Sequence, residues 1–331
     1  MKVLALVLAG GEGTRLQPLT AEHSKPALQF VNGYRIVDFV LSNLVNSGIT
    51  TIFVLAQYKP QSLIRHIESS WRPELRRRKG YISAVLPSPD GPGEFRGTAD
   101  AVYQNLHLIE RHAPDLVAIF AADHVYRMDV GQMVAFHAAR RADVSVAAAP
   151  VPIEQASSFG IIVRGPKGEV LEFQEKPSRP APIPANPARA YASMGNYLFD
   201  PDVLAGLLHA AYRDDSTDFG RDILPRMAGR GRIYAYDFSR NYVPGVRAHE
   251  ERAYWRDVGT LDALASARDD IRGPAPRFDL SNLHWPILGE APAQPVTARE
   301  MPLPGRPRTP SIQLAAAKRE ENLRISNPAA S

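Results

Sequence analysis

The chain predicts an α/β fold built on an open, mostly parallel sheet with helices on both faces, and three observations carry that expectation. Residues 3–9 are an unbroken apolar run ended by glycines, which is how a strand buried on both faces of a parallel sheet reads. Similar runs recur at 51–56, 82–86 and 115–122, separated by stretches of helical length and spacing. Such alternation implies right-handed crossovers and helices packed on either face. Finally, 331 residues with 44% hydrophobic and 22% charged side chains can bury a full core, enough for one large domain plus an appendage or for two domains.

Each element follows in order. After the first strand comes a glycine loop, and residues 33–45 then carry apolar side chains at helical spacing, with Gly48 as C-cap. The second strand, 51–56, ends on Gln57 and Tyr58; a helix at 61–72 leads to the third strand, 82–86. A Pro/Gly-rich loop at 87–97, expected to be mobile, runs into a helix that begins at Thr98, and the fourth strand, 115–122, ends on Asp123. A further strand at 144–148 precedes shorter β-like segments at 160–163 and 170–173 and a Pro-rich loop at 177–187, read as a small antiparallel extension. Residues 193–199 return to the sheet, helices follow at 201–212 and 218–229, then β-like segments at 233–238 and 254–260 and a helix to about 272. Nine prolines lie between Pro274 and Pro310. A domain at 1–272 and an extended or disordered Pro-rich tail at 273–331 are therefore expected.

Composition excludes several classes. Cysteine is absent, so disulfides, thiolate metal sites and a cysteine nucleophile are ruled out. No apolar run approaches 18 residues, so no membrane span is expected. The glycines behind the first apolar run do not make a signal-peptide cleavage pattern, and the cytoplasm is the default location. A formal charge of +4 is a small excess. The one dense basic run, Arg72 with Arg76, Arg77, Arg78 and Lys79, reads as a solvated helix end or an anionic-effector site rather than a nucleic-acid surface.

The glycine loop carries the first chemistry. Gly10, Gly11 and Gly13 leave successive backbone N–H groups unshielded, and Arg15 adds a permanent forked charge beside them, a combination suited to phosphate oxygens. Leu16 stands where a dinucleotide fingerprint needs glycine, and Gly13-Thr14-Arg15 where a P-loop needs Gly-Lys-Ser/Thr. This is a third kind of phosphate loop. In open sheets ligands sit outside the carboxyl ends of the strands, and the loop, Gln57 and Asp123 all fall there. Gln57 offers both a donor and an acceptor to a purine edge. Asp123 follows an apolar strand, so its carboxylate is aimed toward whatever the loop holds; a magnesium ion needs one or two such carboxylates.

The segment Gly10-Gly11-Glu12-Gly13-Thr14-Arg15-Leu16, with Ser24-Lys25-Pro26-Ala27 behind it, resembles the signature of the sugar-1-phosphate nucleotidylyltransferases, and within them the ADP-glucose-forming branch. The similarity runs to about Trp285-Pro286. It implies a Rossmann-like fold of the nucleotide-diphospho-sugar transferase type, with ATP and glucose 1-phosphate as substrates, Mg2+ as cofactor and ADP-glucose for glycogen-type glucan synthesis as product. Arg15 and Lys25 would meet the triphosphate, joined by Gly10, Gly11, Gly13 and Thr14; Asp123 and Asp257 would hold the metal. Gly97, Thr98 and Asp100, preceded by Arg96, would close on the adenine, and this segment favours ATP over UTP or dTTP. Lys176 of Glu175-Lys176-Pro177 would bind the sugar phosphate and Glu175 the sugar hydroxyls, with Ser193 and Gly195 adding sugar contacts and Asp218, Phe219, Gly220 and Trp255 lining the wall.

The chain departs from that pattern at Ala122, at Phe95 and at Ala21-Glu22-His23, which replaces a more basic effector segment. No hexapeptide period follows Trp285, where a relative would enter a parallel β-helix. Altered allosteric control is the expectation. So is assembly, if any, as a homo-oligomer or with a partner subunit by other contacts. The rival readings are a nucleotidylyltransferase for another nucleotide or sugar and a non-catalytic regulatory paralogue. Arg15, Asp123 and Lys176 are all retained, which ranks the paralogue last.

Overall fold

The computed structural model describes residues 1–89 and 91–289. In chain order the elements are β1 (Val3–Ala9), β2 (Gln29–Val31), β3 (Tyr34–Arg35), α1 (Ile36–Asn46), β4 (Thr51–Ala56), α2 (Gln61–His66), α3 (Arg72–Arg77) and β5 (Tyr81–Val85). Then come α4 (Thr98–Tyr103), α5 (Leu106–His112), β6 (Leu116–Ala121), β7 (His124–Tyr126), α6 (Val130–Arg140), β8 (Val144–Pro152), β9 (Gly160–Arg164), β10 (Val170–Glu175) and β11 (Arg189–Phe199). The last are α7 (Pro201–Arg213), α8 (Leu224–Met227), β12 (Ile233–Asp237), β13 (Trp255–Asp257) and α9 (Leu261–Asp269).

β5, β4, β1 and β6 pair in parallel in that order, and β11 then joins β6 antiparallel. Beyond it β8 pairs antiparallel with β11 and parallel with β12, so among these seven strands only β11 runs against the others. Its first half also pairs with β9, and β9 with β10, both antiparallel; this is the small extension the sequence predicts. Successive residues of β1 feed opposite cores. Ala5, Val7 and Ala9 face α1, α2, α3 and α6, whereas Leu4 and Leu6 face α4, α5, α7 and α8, as the alternation of a strand requires.

Several boundaries differ from the sequence expectation. The helix expected from residue 33 begins at Ile36, because Arg35 N–H donates to the Asp38 carboxylate at 2.7 Å and closes the first turn there. Residues 61–77 form one helical run interrupted by a π turn at Ile67–Trp71, and the helix expected at 218–229 is a π turn (Phe219–Ile223) followed by α8. At 254–260 the strand is limited to β13, which pairs with β7 in a separate two-stranded ribbon.

Residues 273–289 form no helix or strand but pack on the domain. Phe278, Trp285 and Ile287 are buried, Leu288 N–H donates to Ser42 Oγ at 2.7 Å, and Asn46 Nδ2 donates to the Pro286 carbonyl at 2.9 Å. The rest of the expected tail, 290–331, lies outside the described residues. Within the described residues no helix is long and apolar enough to cross a membrane.

Candidate active site

A cleft of about 560 Å³ opens at the carboxyl ends of β1, β4 and β6, lined among others by Gly10, Gly11, Gly13, Arg15, Lys25 and Gln57. Gly97, Thr98, Asp123, Glu175 and Gly195 complete its wall with Asp218 and Tyr197. Residues from across some 250 positions thus meet where the sheet topology places ligands.

The loop after β1 closes as a 3-10 turn over Thr14–Leu16, with Gly13 in the left-handed region at φ 66°, ψ 34°. A Cβ there would also meet Thr20 Cγ2 at 3.1 Å and Lys25 Cβ at 3.2 Å, so both conformation and space require glycine. Leu16 is fully buried and anchors the loop, which leaves Thr14 and Arg15 on the cleft.

The ribbon of β7 and β13 supplies the acidic centre. Its register sets Asp257 opposite His124, and Asp123 immediately precedes β7. Ligand atoms of Asp123, His124 and Asp257 lie within 4.8 Å of one another. Lys25 sits between the aspartates, its Nζ 2.9 Å from Asp123 Oδ2 and 3.1 Å from Asp257 Oδ1. Burial alone would lower the Lys25 ammonium, but the two carboxylates outweigh it and hold the group above its usual value. Asp123 shows the reciprocal balance: burial opposes its ionisation, while His124 and Lys25 hold it down at about 2. In this structure Lys25 is therefore bound to the acidic pair, while Arg15 lines the same cleft beside it.

The same geometry tests the fit of a divalent ion. Two carboxylates that jointly hold one compact cation are a hard oxygen donor set suited to magnesium. His124 is the weaker candidate: its Nδ1 is buried without a hydrogen-bond partner, whereas metal-ligating imidazoles are normally oriented through the second nitrogen. The His124 ring instead packs edge-on against Trp255, centroids 5.1 Å apart.

The opposite wall is tied together by its loops. Thr98 Oγ1 donates to Asp218 Oδ2 at 2.9 Å and accepts from Phe219 N–H at 3.0 Å, while Ala99 N–H and Asp100 N–H donate to the Thr217 carbonyl at 2.8 and 3.1 Å. A Cβ on Gly97 would lie 2.4 Å from that carbonyl, so only glycine permits this approach. Gln57 uses both ends of its amide on Phe95, donating to its carbonyl at 3.2 Å and accepting from its N–H at 2.5 Å.

Six sequence-predicted residues fall outside the cleft lining. Asp257 reaches it through Lys25, Phe219 is packed in the core, and Trp255 is buried against His124; Asp100, Ser193 and Lys176 complete the set. Asp100 is buried behind the wall, where it accepts from Arg96 N–H at 2.9 Å and from Gln104 Nε2 at 2.9 Å; it shapes the loop. Ser193 is also buried, its Oγ accepting from Gly195 N–H at 3.3 Å. Lys176 is two-thirds exposed and pairs with Glu175 at 3.4 Å, outside the cleft lining. The methyl of Ala122, one of the departures from the family pattern, is fully buried in the core. Tyr197 and Gly259 line the cleft without having been singled out; the Trp-Arg-Asp-Val-Gly-Thr segment was the available signal for Gly259.

Comparison with known proteins now bears on this geometry. The sequence pattern of the family described as Nucleotidyl transferase matches residues 4–273. The chain is 51% identical over 288 residues to the glucose-1-phosphate adenylyltransferase of Thermodesulfovibrio yellowstonii, covering 86% of this chain and 70% of that protein. It is 48% identical over 295 residues to the glucose-1-phosphate adenylyltransferase of Thermus thermophilus, covering 87% and 71%. Against glucose-1-phosphate adenylyltransferase 1 of Vibrio cholerae it is 44% identical over 297 residues, covering 88% and 72%. Fold, cleft and sequence agree, and the chain belongs to the nucleotidyl transferase family.

Proposed function

We propose that this cleft transfers the adenylyl group of ATP to alpha-D-glucose 1-phosphate, giving ADP-glucose and pyrophosphate for glycogen or other alpha-glucan synthesis. The observation that carries the reading is the meeting of the Gly10–Arg15 loop with the Lys25–Asp123–Asp257 cluster at one end of the sheet, in a chain whose relatives bear the adenylyltransferase name.

The reaction needs no enzyme nucleophile. A phosphate oxygen of glucose 1-phosphate attacks the α-phosphorus of ATP in line, a new P–O–P bond forms, and the bond to the pyrophosphate breaks with its electron pair leaving on oxygen. The protein's share is to align two polyanions and to stabilise charge on the leaving group. In this reading the loop N–H groups at Gly10, Gly11 and Gly13, with Thr14 and Arg15, receive the β- and γ-phosphates. Gln57 and the Gly97–Thr98 backbone receive the adenine, whose edge replaces the Phe95 backbone groups now held by Gln57. Glu175, Gly195 and the Ser193 turn face the glucose, and Lys176 swings in from the exposed rim to meet its phosphate.

Asp123 and Asp257 would hold Mg2+, which would supply electrostatic stabilisation of the phosphate oxygens. With the ion bound, the Lys25 ammonium between the aspartates would be available to the phosphates. Work in the cytoplasm, and assembly as a homo-oligomer or with a partner subunit, belong to the same reading.

Pyrophosphate release by the purified chain with glucose 1-phosphate and Mg2+, compared across ATP, UTP, dTTP and GTP, tests it. Release with ATP well above the others is expected. Release confined to UTP or dTTP would overturn the adenylyl assignment, and release with none would overturn the enzyme reading.

A further inference from the structure

Asn196 is fully buried and does not line the cleft, yet its side chain holds both ends of the segment that carries Asp123. Its Oδ1 accepts from Ala121 N–H at 3.3 Å, just before Asp123, and its Nδ2 donates to the Tyr126 hydroxyl at 3.0 Å, just after it. The reason lies in the register of β11. Its pairing with β6 starts at Asn196 opposite Phe120, and its pairing with β8 is interrupted between Ser193 and Tyr197. Ala121 therefore lies one residue past the β6–β11 ladder, and a side chain accepts there in place of a strand backbone.

The same bulge forms the sugar-facing side of the cleft. Gly195, adjacent to Asn196, approaches β6 so closely that a Cβ on it would lie 3.1 Å from the Ala121 Cβ. On the other side Tyr126 is fixed in turn: its carbonyl accepts from Asn43 Nδ2 at 3.1 Å, and Asn43 Oδ1 accepts from Met128 N–H at 2.9 Å. Burial pushes the Tyr126 phenol above its usual value, so at neutral pH it presents a hydroxyl to the amide. A buried amide of this kind leaves orphaned groups on both sides when it is removed.

We propose that Asn196 is a positioning residue which, through Ala121 and Tyr126, sets the Asp123 carboxylate relative to the sugar-facing Ser193–Gly195 turn. The inference rests on the proposed function for its kinetic reading; Asn196 itself lies outside the cleft lining. It links the metal side of the cleft to the sugar side, and leaves the Gly10–Arg15 loop and Gln57 alone. Displacement of a reacting group by about an ångström is worth about 10²-fold in rate.

The test is a double-mutant cycle of Asn196→Leu, Tyr126→Phe and the pair. The expected result is a kcat about 10²-fold lower in Asn196→Leu. Its KM for glucose 1-phosphate rises about tenfold while that for ATP stays within about twofold, a split that marks a localised displacement rather than general loosening. The double variant is expected to be no worse than Asn196→Leu, since both changes cut one path. Electron paramagnetic resonance titration of Mn2+ in the presence of ATP reads the same displacement as weaker metal binding, without turnover.

Wild-type kcat and KM in both single variants, with only the melting temperature lowered, would overturn the proposal, as would equal rises in both KM values. Should Asn196→Leu fail to fold, Tyr126→Phe carries the test: about tenfold lower kcat supports the link, and wild-type kinetics overturn it. Absence of pyrophosphate release by the wild type would sink the proposed function instead. The Mn2+ titration then decides alone, with weaker binding in the variants supporting the proposal and unchanged binding overturning it.

Discussion

Arg15 and Lys25 carry the same charge and stand in different electrostatic settings. Lys25 is held by two carboxylates in the buried end of the cleft, whereas Arg15 reaches across Gly259, where a Cβ would lie 2.9 Å from its Nη2, and faces the open cleft. On the proposed reading Arg15 is the cation already facing the substrate. Arg15→Ala is expected to lower kcat by about 10²–10³-fold with thermal stability unchanged, measured by initial rates at saturating ATP beside a melting curve. The glycine loop, Arg15, Gln57 and Asp123 were legible in the sequence because each sits at the end of an apolar run, where the α/β arrangement exposes it. The pairing of Lys25 with Asp257 was not, since 232 positions separate them and only the β7–β13 ribbon brings them together. Asp100 shows the converse: its motif is unmistakable, and its carboxylate serves the loop from behind.

At the scale of elements, the wall of the cleft depends on the π turn at Phe219–Ile223. Asp222 accepts from Thr217 N–H at 2.8 Å and from Asp218 N–H at 2.9 Å, fixing the stretch that meets Thr98 and Gly97. Its hydrogen bonds from Arg221, helped by those two N–H groups, outweigh burial and hold its carboxyl down at about 2. The folded value lies below the unfolded one, so the stability Asp222 contributes is present above about pH 4 and is lost as pH falls toward 2. Urea unfolding as a function of pH should show Asp222→Asn less stable than wild type at pH 7, with the gap closing through that window; a gap independent of pH would contradict the assignment. Strands such as 51–56 were readable to the residue because burial on both faces leaves a continuous apolar run. The π turns and the three-residue β7 were not, because runs that short carry no period.

Across the whole molecule, the three segments on which function depends are joined by buried contacts rather than by sequence proximity. The third core brings together Leu16 of the glycine loop, Val125 of β7, Tyr254 and Val258 around β13, Leu264 of α9 and Phe278 and Ile287 beyond it. The post-helix segment is part of that unit. Arg127, buried against Glu250 at 3.0 Å, donates through Nη2 to the Asp279 carbonyl at 2.6 Å, so 273–289 braces the ribbon that holds both aspartates. Proline content disguised this in the sequence, because a chain without helix or strand reads as tail even where isolated aromatics anchor it. The central claim remains that one cleft aligns ATP and glucose 1-phosphate over the Asp123–Asp257 pair. Label transfer from [α-32P]ATP measures it most directly. The account predicts Mg2+-dependent appearance of label in ADP-glucose, reduced at least about 10²-fold by Asp123→Asn; label that never reaches the sugar nucleotide, or that reaches it equally well in Asp123→Asn, would contradict it.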